Sequence, residues 1–508
     1  MEAFLAIDAG TTSVKAGLFS PDGRCLGIGR QEYPLETPAA DRAQLDPEVY
    51  WQACRKTVRA ALAQSGLKPA QVKALAVSSQ GETTITLDAR GKAIYPALVW
   101  LDNRAVEQAA FLAGRFGGEV YARTGIPEIV ATWPACKILW LRQNEPEVFA
   151  RADRFLLVQD YLIYRLTGRI VTDGSISCTT LNYDLVKNAW WTEVQEAIGI
   201  SSGQLPEIAG PGTEVGPLSA DAARELGLSP QTFVVTGGMD QAVGAIGAGN
   251  VKPGIVSETT GAALTIQATI PDPSVDRSKV LPVYRHSAPG LYLFVPVCPT
   301  AGMAFKWLRD AFFQDEMERA EAEKADAYDR LTRLAESIPP GADGLVMLPH
   351  LMGAFSPEPN LSARGSFTGF TLRHTRGHFV RALLEGVAFL LRRNLEYIER
   401  TGLEVGEIRS TGGGARSRLW NQIKADVCNR PVVTLENEET GLLGDAILAA
   451  VAAGIFPSVE AGCRAMVAVK ERIQPGEAAG AYLQPYRRYC ALDGQLSGYF
   501  KQSYTTNG

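Results

Sequence analysis

Short apolar runs separated by small polar turns open the chain. Residues 3–8 (AFLAID) and 14–19 (VKAGLF) flank AGTTS, a turn follows at SPDGR, and a third run begins at Cys25, a pattern that predicts a hairpin of strands. In 46–65 (DPEVYWQACRKTVRAALAQS) the apolar residues recur at helical spacing behind an Asp-Pro start. VKALAVSSQG, from Val72, then reads as a buried strand ending in a glycine loop. The same cycle returns at TFVVTGGMDQAVGAIGAG, from Thr232, where a β-branched run meets two glycines and an Ala-rich helical segment.

After Asn250 the pattern restarts. VKPGIVSETTGAALTIQ (251–267) repeats the opening in kind: strand, Thr/Gly turn, strand. A long amphipathic helix is predicted at 378–400, a strand, glycine-rich turn and helix at 408–427, and an Ala-rich helix at 441–456. Alternating elements of this kind fit α/β sheets with helices on both faces, and two units with related beginnings suggest duplication. The break is placed around Gly-Asn-Val-Lys-Pro-Gly at 249–254, giving domains 1–249 and 250–508.

Length supports the division, because 508 residues exceed one ordinary core and two lobes can enclose a cleft. A net charge of −5 with interspersed signs offers no platform for nucleic acid or anionic lipid, so the expected partner is a small molecule. The first residues, MEAFLAIDAGTTS, carry no basic leader and their apolar run is interrupted at Asp8, which predicts a cytoplasmic protein with no membrane partner. Cysteines 25, 54, 136, 178, 298, 428, 463 and 490 form no C-x-x-C pair and histidines number four, so free thiols are expected and any metal should sit on oxygen.

Four segments can carry chemistry. Asp8-Ala-Gly10-Thr11-Thr12-Ser13 follows a strand. Gly10 lets the backbone approach an anion, the hydroxyls and amides can donate to phosphate, and the carboxylate can hold Mg²⁺ through water; an ordinary hairpin turn has the same composition. Gly237-Gly238-Met239-Asp240-Gln241 ends another strand. There the glycines leave room for a ligand and Asp240 can act as general base, or it can simply cap the following helix. Glu258-Thr259-Thr260-Gly261 can wrap a terminal phosphate, and Gly412-Gly413-Gly414 can place backbone against a purine or α-phosphate, although glycine packing explains such turns nearly as well.

Two further stretches carry a resemblance: Trp133-Pro134-Ala-Cys-Lys137-Ile-Leu-Trp140-Leu, and Gly365-Ser-Phe-Thr-Gly369-Phe370 with His378-Phe379-Val-Arg-Ala382-Leu-Leu-Glu385. Together with the loops above, they make the chain resemble, from Asp8 to about Phe456, the FGGY carbohydrate kinases, the family of glycerol kinase, xylulokinase, gluconokinase and ribulokinase. The resemblance implies two duplicated actin/hexokinase-like (ribonuclease H-like) domains around an interdomain cleft, with ATP and Mg²⁺ bound there. It assigns Asp8 to the metal and Gly10, Thr11, Thr12 and Lys15 to the first phosphate loop. Thr259, Thr260 and Gly261 form the second loop, Gly302, Lys306, Gly413, Gly414, Arg418 and Trp420 lie at the nucleotide, and Asp240 is the base. The sugar or polyol falls to Gln80, Gly81, Glu82, Trp100, Asp102, Trp133, Asp240 and Gln241. Assembly as a homodimer is compatible with it.

Gly81 stands where glycerol kinases carry arginine and Ala263 where they carry a bulky aromatic, which implies a larger pocket and an acceptor of four to six carbons. A ketopentose such as xylulose leads, with glycerol, a tetritol or gluconate as alternatives. Xylulokinases usually show Met-His at 81–82, and many relatives carry Gly-Glu-Arg where this chain has Gly353-Ala354-Phe355. Other readings are an inactive sugar sensor and an Hsp70- or actin-like ATPase; stimulation of ATP turnover by one sugar separates them from a kinase.

Overall fold

The structure is a computed structural model that describes residues 2–274, 276 and 278–504; the last four residues of the second predicted domain lie outside it. The first sheet holds β1 (Ala3–Ala9), β2 (Ser13–Phe19), β3 (Cys25–Glu32), β4 (Val72–Ser79), β5 (Glu214–Pro217) and β6 (Phe233–Met239), in the order β5-β6-β4-β1-β2-β3. β1 is buried on both faces apart from Asp8, as a continuous apolar run in a central strand should be. The second sheet runs β9 (Val283–Arg285), β10 (Tyr292–Phe294), β8 (Leu264–Ile270), β7 (Ile255–Thr260), β12 (Glu407–Thr411), β13 (Val432–Leu435) and β14 (Val469–Ile473), with β11 (Val297–Cys298) also paired to β8.

The duplication is visible in register. Asp8 of β1 faces Lys15 on the antiparallel β2 and Ser78 on the parallel β4. Glu258 of β7 faces Ile266 on the antiparallel β8 and Ser410 on the parallel β12. The two carboxylates therefore occupy equivalent places in two copies of one motif.

Helices cover the sheets. α1 (Pro47–Ser65) starts where the sequence said it should: the Asp46 side chain accepts from the Glu48 N–H, proline holds the first turn, and Gly66 ends it in left-handed backbone. Between β4 and β6 lies an inserted body with its own core around Trp133, Ile138 and Trp191, built on α2 (Pro134–Asn144). α3 (Asp240–Gly247) follows β6, and the second half adds α4 (Gly302–Phe312), α5 (Ala327–Glu336), α6 (Arg376–Glu399), α7 (Arg418–Cys428) and α8 (Thr440–Ala452). Although α8 comes late in the chain, its Leu442, Leu443, Ala446 and Ile447 pack on Phe4, Ala6, Ala74 and Val235 of the first sheet. It crosses α3 backbone to backbone: a Cβ on Gly247 would lie 1.8 Å from the Thr440 carbonyl, and one on Gly444 2.0 Å from that of Val243. No helix among the described residues is long and apolar enough to cross a membrane, and all eight cysteines are unpaired thiols.

Candidate active site

The parallel strands β1, β4 and β6 deliver Asp8, the Gln80 loop and Asp240 to one edge of the first sheet. Met239 occupies the cap position of α3 and Asp240 is its first helical residue, with Oδ1 accepting from the Gln241 N–H at 2.7 Å. Asp240 thus does not cap the helix in the ordinary sense. The glycines before it are required by protein, not by a ligand: a Cβ at Gly237 would lie 2.2 Å from the Val77 carbonyl, and one at Gly238 2.2 Å from Ser287 Oγ. Burial, with Asp8 nearby, pushes the Asp240 carboxyl up to about 7. Burial likewise pushes Asp8 up to about 6; Lys15 opposes this and Glu439 adds to it.

On the sugar side, Trp100 is 38% exposed and its Nε1 donates to Thr11 Oγ1 at 2.8 Å, joining the predicted sugar wall to the first phosphate loop. The Gln80 amide is buried, with Nε2 donating to Tyr50 at 3.0 Å and Oε1 lacking a protein partner. Glu82 has left-handed backbone, φ 55, a conformation rare in a non-glycine residue. Its carboxyl is pushed up to about 8 by burial, with Lys137 opposing and Asp240 reinforcing. Gln241 Oε1 accepts from Gln267 Nε2 at 2.7 Å.

Three sugar-side expectations need correction. Asp102 is wholly buried and its carboxylate is filled by Arg104 Nε and Nη2, both at 2.8 Å, and by the Ala43 N–H at 2.8 Å, so it braces a loop and offers no oxygen to a sugar. Trp133 packs in the core of the inserted body and spends its N–H on the Glu128 carbonyl at 3.1 Å. Gly81 opens no extra space in the direction of its missing side chain, because a Cβ there would lie 2.7 Å from Thr179 Cγ2.

On the side predicted for the nucleotide lies a cavity of about 540 Å³ whose lining includes Thr260, Gly261, Gly302, Lys306, Gly413 and Trp420. The strand β7 ends on a buried network: Lys424 Nζ donates to Glu258 Oε1 at 2.6 Å and to Thr260 Oγ1 at 3.0 Å, Thr260 Oγ1 donates to Glu258 Oε2 at 2.7 Å, and Ser410 also donates to Glu258. Thr260 therefore turns its hydroxyl inward, while the Thr259 hydroxyl pairs with that of Thr411 at 2.8 Å. A Cβ on Gly302 would lie 2.2 Å from the Gly261 carbonyl and one on Gly414 2.6 Å from Thr260, so both glycines weld α4 and the glycine-rich turn to this loop. Gly413 has open space in front of it.

One basic call is displaced. The Arg418 side chain is 75% exposed, pairs with Glu471 at 3.1 Å and stays out of that lining; Arg416 enters it instead. Lys15 pairs at 2.5 Å with Glu439, which a phosphate must displace to use the lysine. Lys306 is held by Asp310 at 2.6 Å at the rim.

Sequence reasoning passed over Asp326, Tyr328 and Thr332, which line the cavity from α5 and its start; only the Asp cap of that helix was there to be read. It also passed over Asp445, whose buried carboxyl reaches from α8 beneath the site to accept from Ser78 Oγ at 2.7 Å and is pushed well above the carboxylate range by burial. A magnesium ion needs one or two carboxylates beside phosphate and water, not a protein cage. Asp8, raised by burial and in part by the nearby Glu439, suits that need, since a cation would offset the negative charge around it.

Residues 3–247 match the N-terminal domain model of the FGGY family of carbohydrate kinases, and residues 255–453 the C-terminal one. A xylulose kinase of Staphylococcus epidermidis is 31% identical over 495 residues, 97% of this chain and 96% of that one. A gluconokinase of Bacillus subtilis is 33% identical over 460 residues, 90% of this chain and 89% of that one. The crystal structure of ligand-bound xylulose kinase from Lactobacillus acidophilus superposes with a TM-score of 0.90 at 26% identity, covering 100% of both chains.

Proposed function

The chain belongs to the FGGY family of carbohydrate kinases, and from that premise we propose that its cleft moves the γ-phosphoryl group of ATP to a hydroxyl of a sugar or polyol of about four to six carbons, a ketopentose such as xylulose first. The observation that carries this reading is Asp240, a half-buried residue at the end of β6 whose carboxyl is raised to about 7 and lies within electrostatic reach of both Asp8 and Glu82. A base of that strength can take a hydroxyl proton near neutrality.

The acceptor oxygen bonds to the γ-phosphorus as its proton passes to Asp240, while the bond from phosphorus to the β–γ bridging oxygen breaks and ADP leaves. The loops at 10–13 and 259–262 flank the phosphates, the N–H groups of Gly10 and Gly261 being spent on the Ser13 and Ala263 carbonyls within them, and Gly413 leaves room for the nucleotide beside Arg416. Magnesium held by Asp8 and phosphate oxygens would supply neutralisation of the charge on the transferring group. Because water competes as acceptor, ATP hydrolysis should be slow until sugar draws the lobes together.

Gluconate is the second reading, favoured by the 33% identity to a gluconokinase. Against it, Arg104 is spent on Asp102 and Lys137 on backbone carbonyls, so neither cation is free to meet an aldonate carboxylate. A neutral acceptor fits better. We read the protein as a cytoplasmic enzyme whose partner is this small molecule. An ADP-release screen over four- to six-carbon ketoses, polyols and aldonates is expected to give turnover that one class stimulates strongly. ATP turnover indifferent to every member would refute the kinase reading in favour of a mechanical ATPase, and binding without turnover would make the protein a sensor.

A further inference from the structure

Lys137 lies in the stretch that marked the resemblance, and phosphoryl transfer as described above makes no use of it. Its side chain is wholly buried on α2. Nζ donates to three backbone carbonyls, Val99 at 2.8 Å, Glu82 at 3.0 Å and Leu98 at 3.4 Å. An ammonium has three hydrogens, so these acceptors complete its set. Burial pushes the amine down to about 7, and the carboxylates of Asp102 and Glu82 work the other way.

The three carbonyls belong to the two segments that form the sugar side of the cleft. Those segments are already tied by reciprocal backbone bonds between Thr84 and Leu98, at 2.9 and 3.0 Å. Lys137 adds a tie at Glu82, the residue in left-handed backbone, which persists only where its surroundings impose it. Here they act on both sides of the residue: the Glu82 N–H donates to Thr179 Oγ1 at 3.1 Å while the Glu82 carbonyl accepts from Lys137. The Leu98 and Val99 carbonyls also accept from the N–H groups of Thr84 and Asp102, so loss of the ammonium falls mainly on the Glu82 peptide.

We infer that Lys137 is a positioning residue for the acceptor: its ammonium fixes the Glu82 peptide, and through it the Glu82 carboxyl, at the distance from Val99 and Trp100 at which a sugar is gripped. The inference rests on the sugar reading of the cleft. The test compares wild type with K137M, E82Q, the double variant and T179V, using D-xylulose first and otherwise the panel member with the highest kcat/KM. K137M is expected to raise the acceptor KM at least tenfold and leave the ATP KM within twofold. Adding K137M to E82Q should cost nothing beyond E82Q alone, because both act through one carboxyl. T179V releases the other side of Glu82 without disturbing a buried charge. It should show the same split of KM values, and it decides the matter if K137M does not fold. A parallel rise in ATP KM, or losses that multiply in the double variant, overturns the role of Lys137. A wild type inert toward the whole panel overturns the sugar reading, and this inference with it.

Discussion

Asp240→Asn should make the enzyme slower and, at alkaline pH, more stable. In the folded chain the Asp240 carboxyl moves from 3.8 to about 7, burial being the larger cause and Asp8 the smaller. Its proton is held more tightly folded than unfolded, so this group's contribution makes stability fall as pH rises from about 4 through about 7. At about 1.4 kcal/mol for each tenfold change in acidity, ionisation at pH 8 costs the fold at most about 4 kcal/mol. Water in the cleft reduces this to about 1–2 kcal/mol. Asparagine keeps the shape and removes the charge. In the absence of ligands, D240N should therefore melt about 1–2 °C above wild type at pH 8 and by less than half that margin at pH 5, where the folded carboxyl is protonated but the unfolded one is already ionised. The same variant should lose about 10²–10⁴-fold in sugar-dependent ADP release. Paired melting curves at the two pH values and a coupled assay at pH 8 check both arms. Equal stabilisation at pH 5 and 8, or wild-type turnover of the right sugar, would refute the assignment of Asp240 as a buried, strained base.

Asp8→Asn should raise the Mg²⁺ concentration needed for half-maximal activity while leaving the sugar affinity, measured by calorimetry, near wild type; an unchanged Mg²⁺ dependence counts against its role. Arg416→Ala should raise the ATP KM severalfold and Arg418→Ala leave it within twofold, since only Arg416 lines the cavity; the reverse order in initial-rate kinetics would contradict the geometry. Lys424→Met should destabilise the protein by about 3–5 kcal/mol in denaturant unfolding, because it strands the buried Glu258 carboxylate, and Glu258→Gln on the same background should recover much of that loss. Stability equal to wild type in K424M would show that the pair is not desolvated.

The sequence disclosed what is local. Strand ends, turns and caps are neighbours in the chain, so Asp8, Gly10, Thr260 and Asp240 could be placed from runs of apolar residues and the small residues that follow them. Which way a side chain turns once an element ends depends on tertiary partners. Arg416 and Arg418 flank Ser417, whose hydroxyl accepts from the Trp420 N–H and fixes the start of α7; that cap sends one arginine to the cavity and the other to Glu471, and spacing alone did not distinguish them. Asp102 was read as a ligand for hydroxyls because carboxylates suit sugars, yet Arg104, two residues on, claims both oxygens. The pairs Lys424 with Glu258 and Lys137 with Glu82 join residues 166 and 55 positions apart, a separation over which periodicity carries no signal. The glycines at 237, 238 and 414 were read as room for a ligand and Gly302 as lying at the nucleotide, whereas the atoms that crowd all four are the protein's own.

The crossing of α3 and α8 has the character of a shared mount. Where helices mesh through large side chains, turning one against the other means lifting knobs from holes. Here Gly247 and Gly444 let two backbone ridges touch, while Val243 and Ile246 of α3 share one buried cluster with Leu442, Leu443, Ala446 and Ile447 of α8 on either side of that point. Asp240 stands at the start of α3 and Glu439, the partner of Lys15, stands just before the other helix. The carboxylate predicted to act as base and the carboxylate that holds Lys15 are thus carried by the two helices of one crossing, so any change at that contact reaches both ends of the cleft's charge pattern.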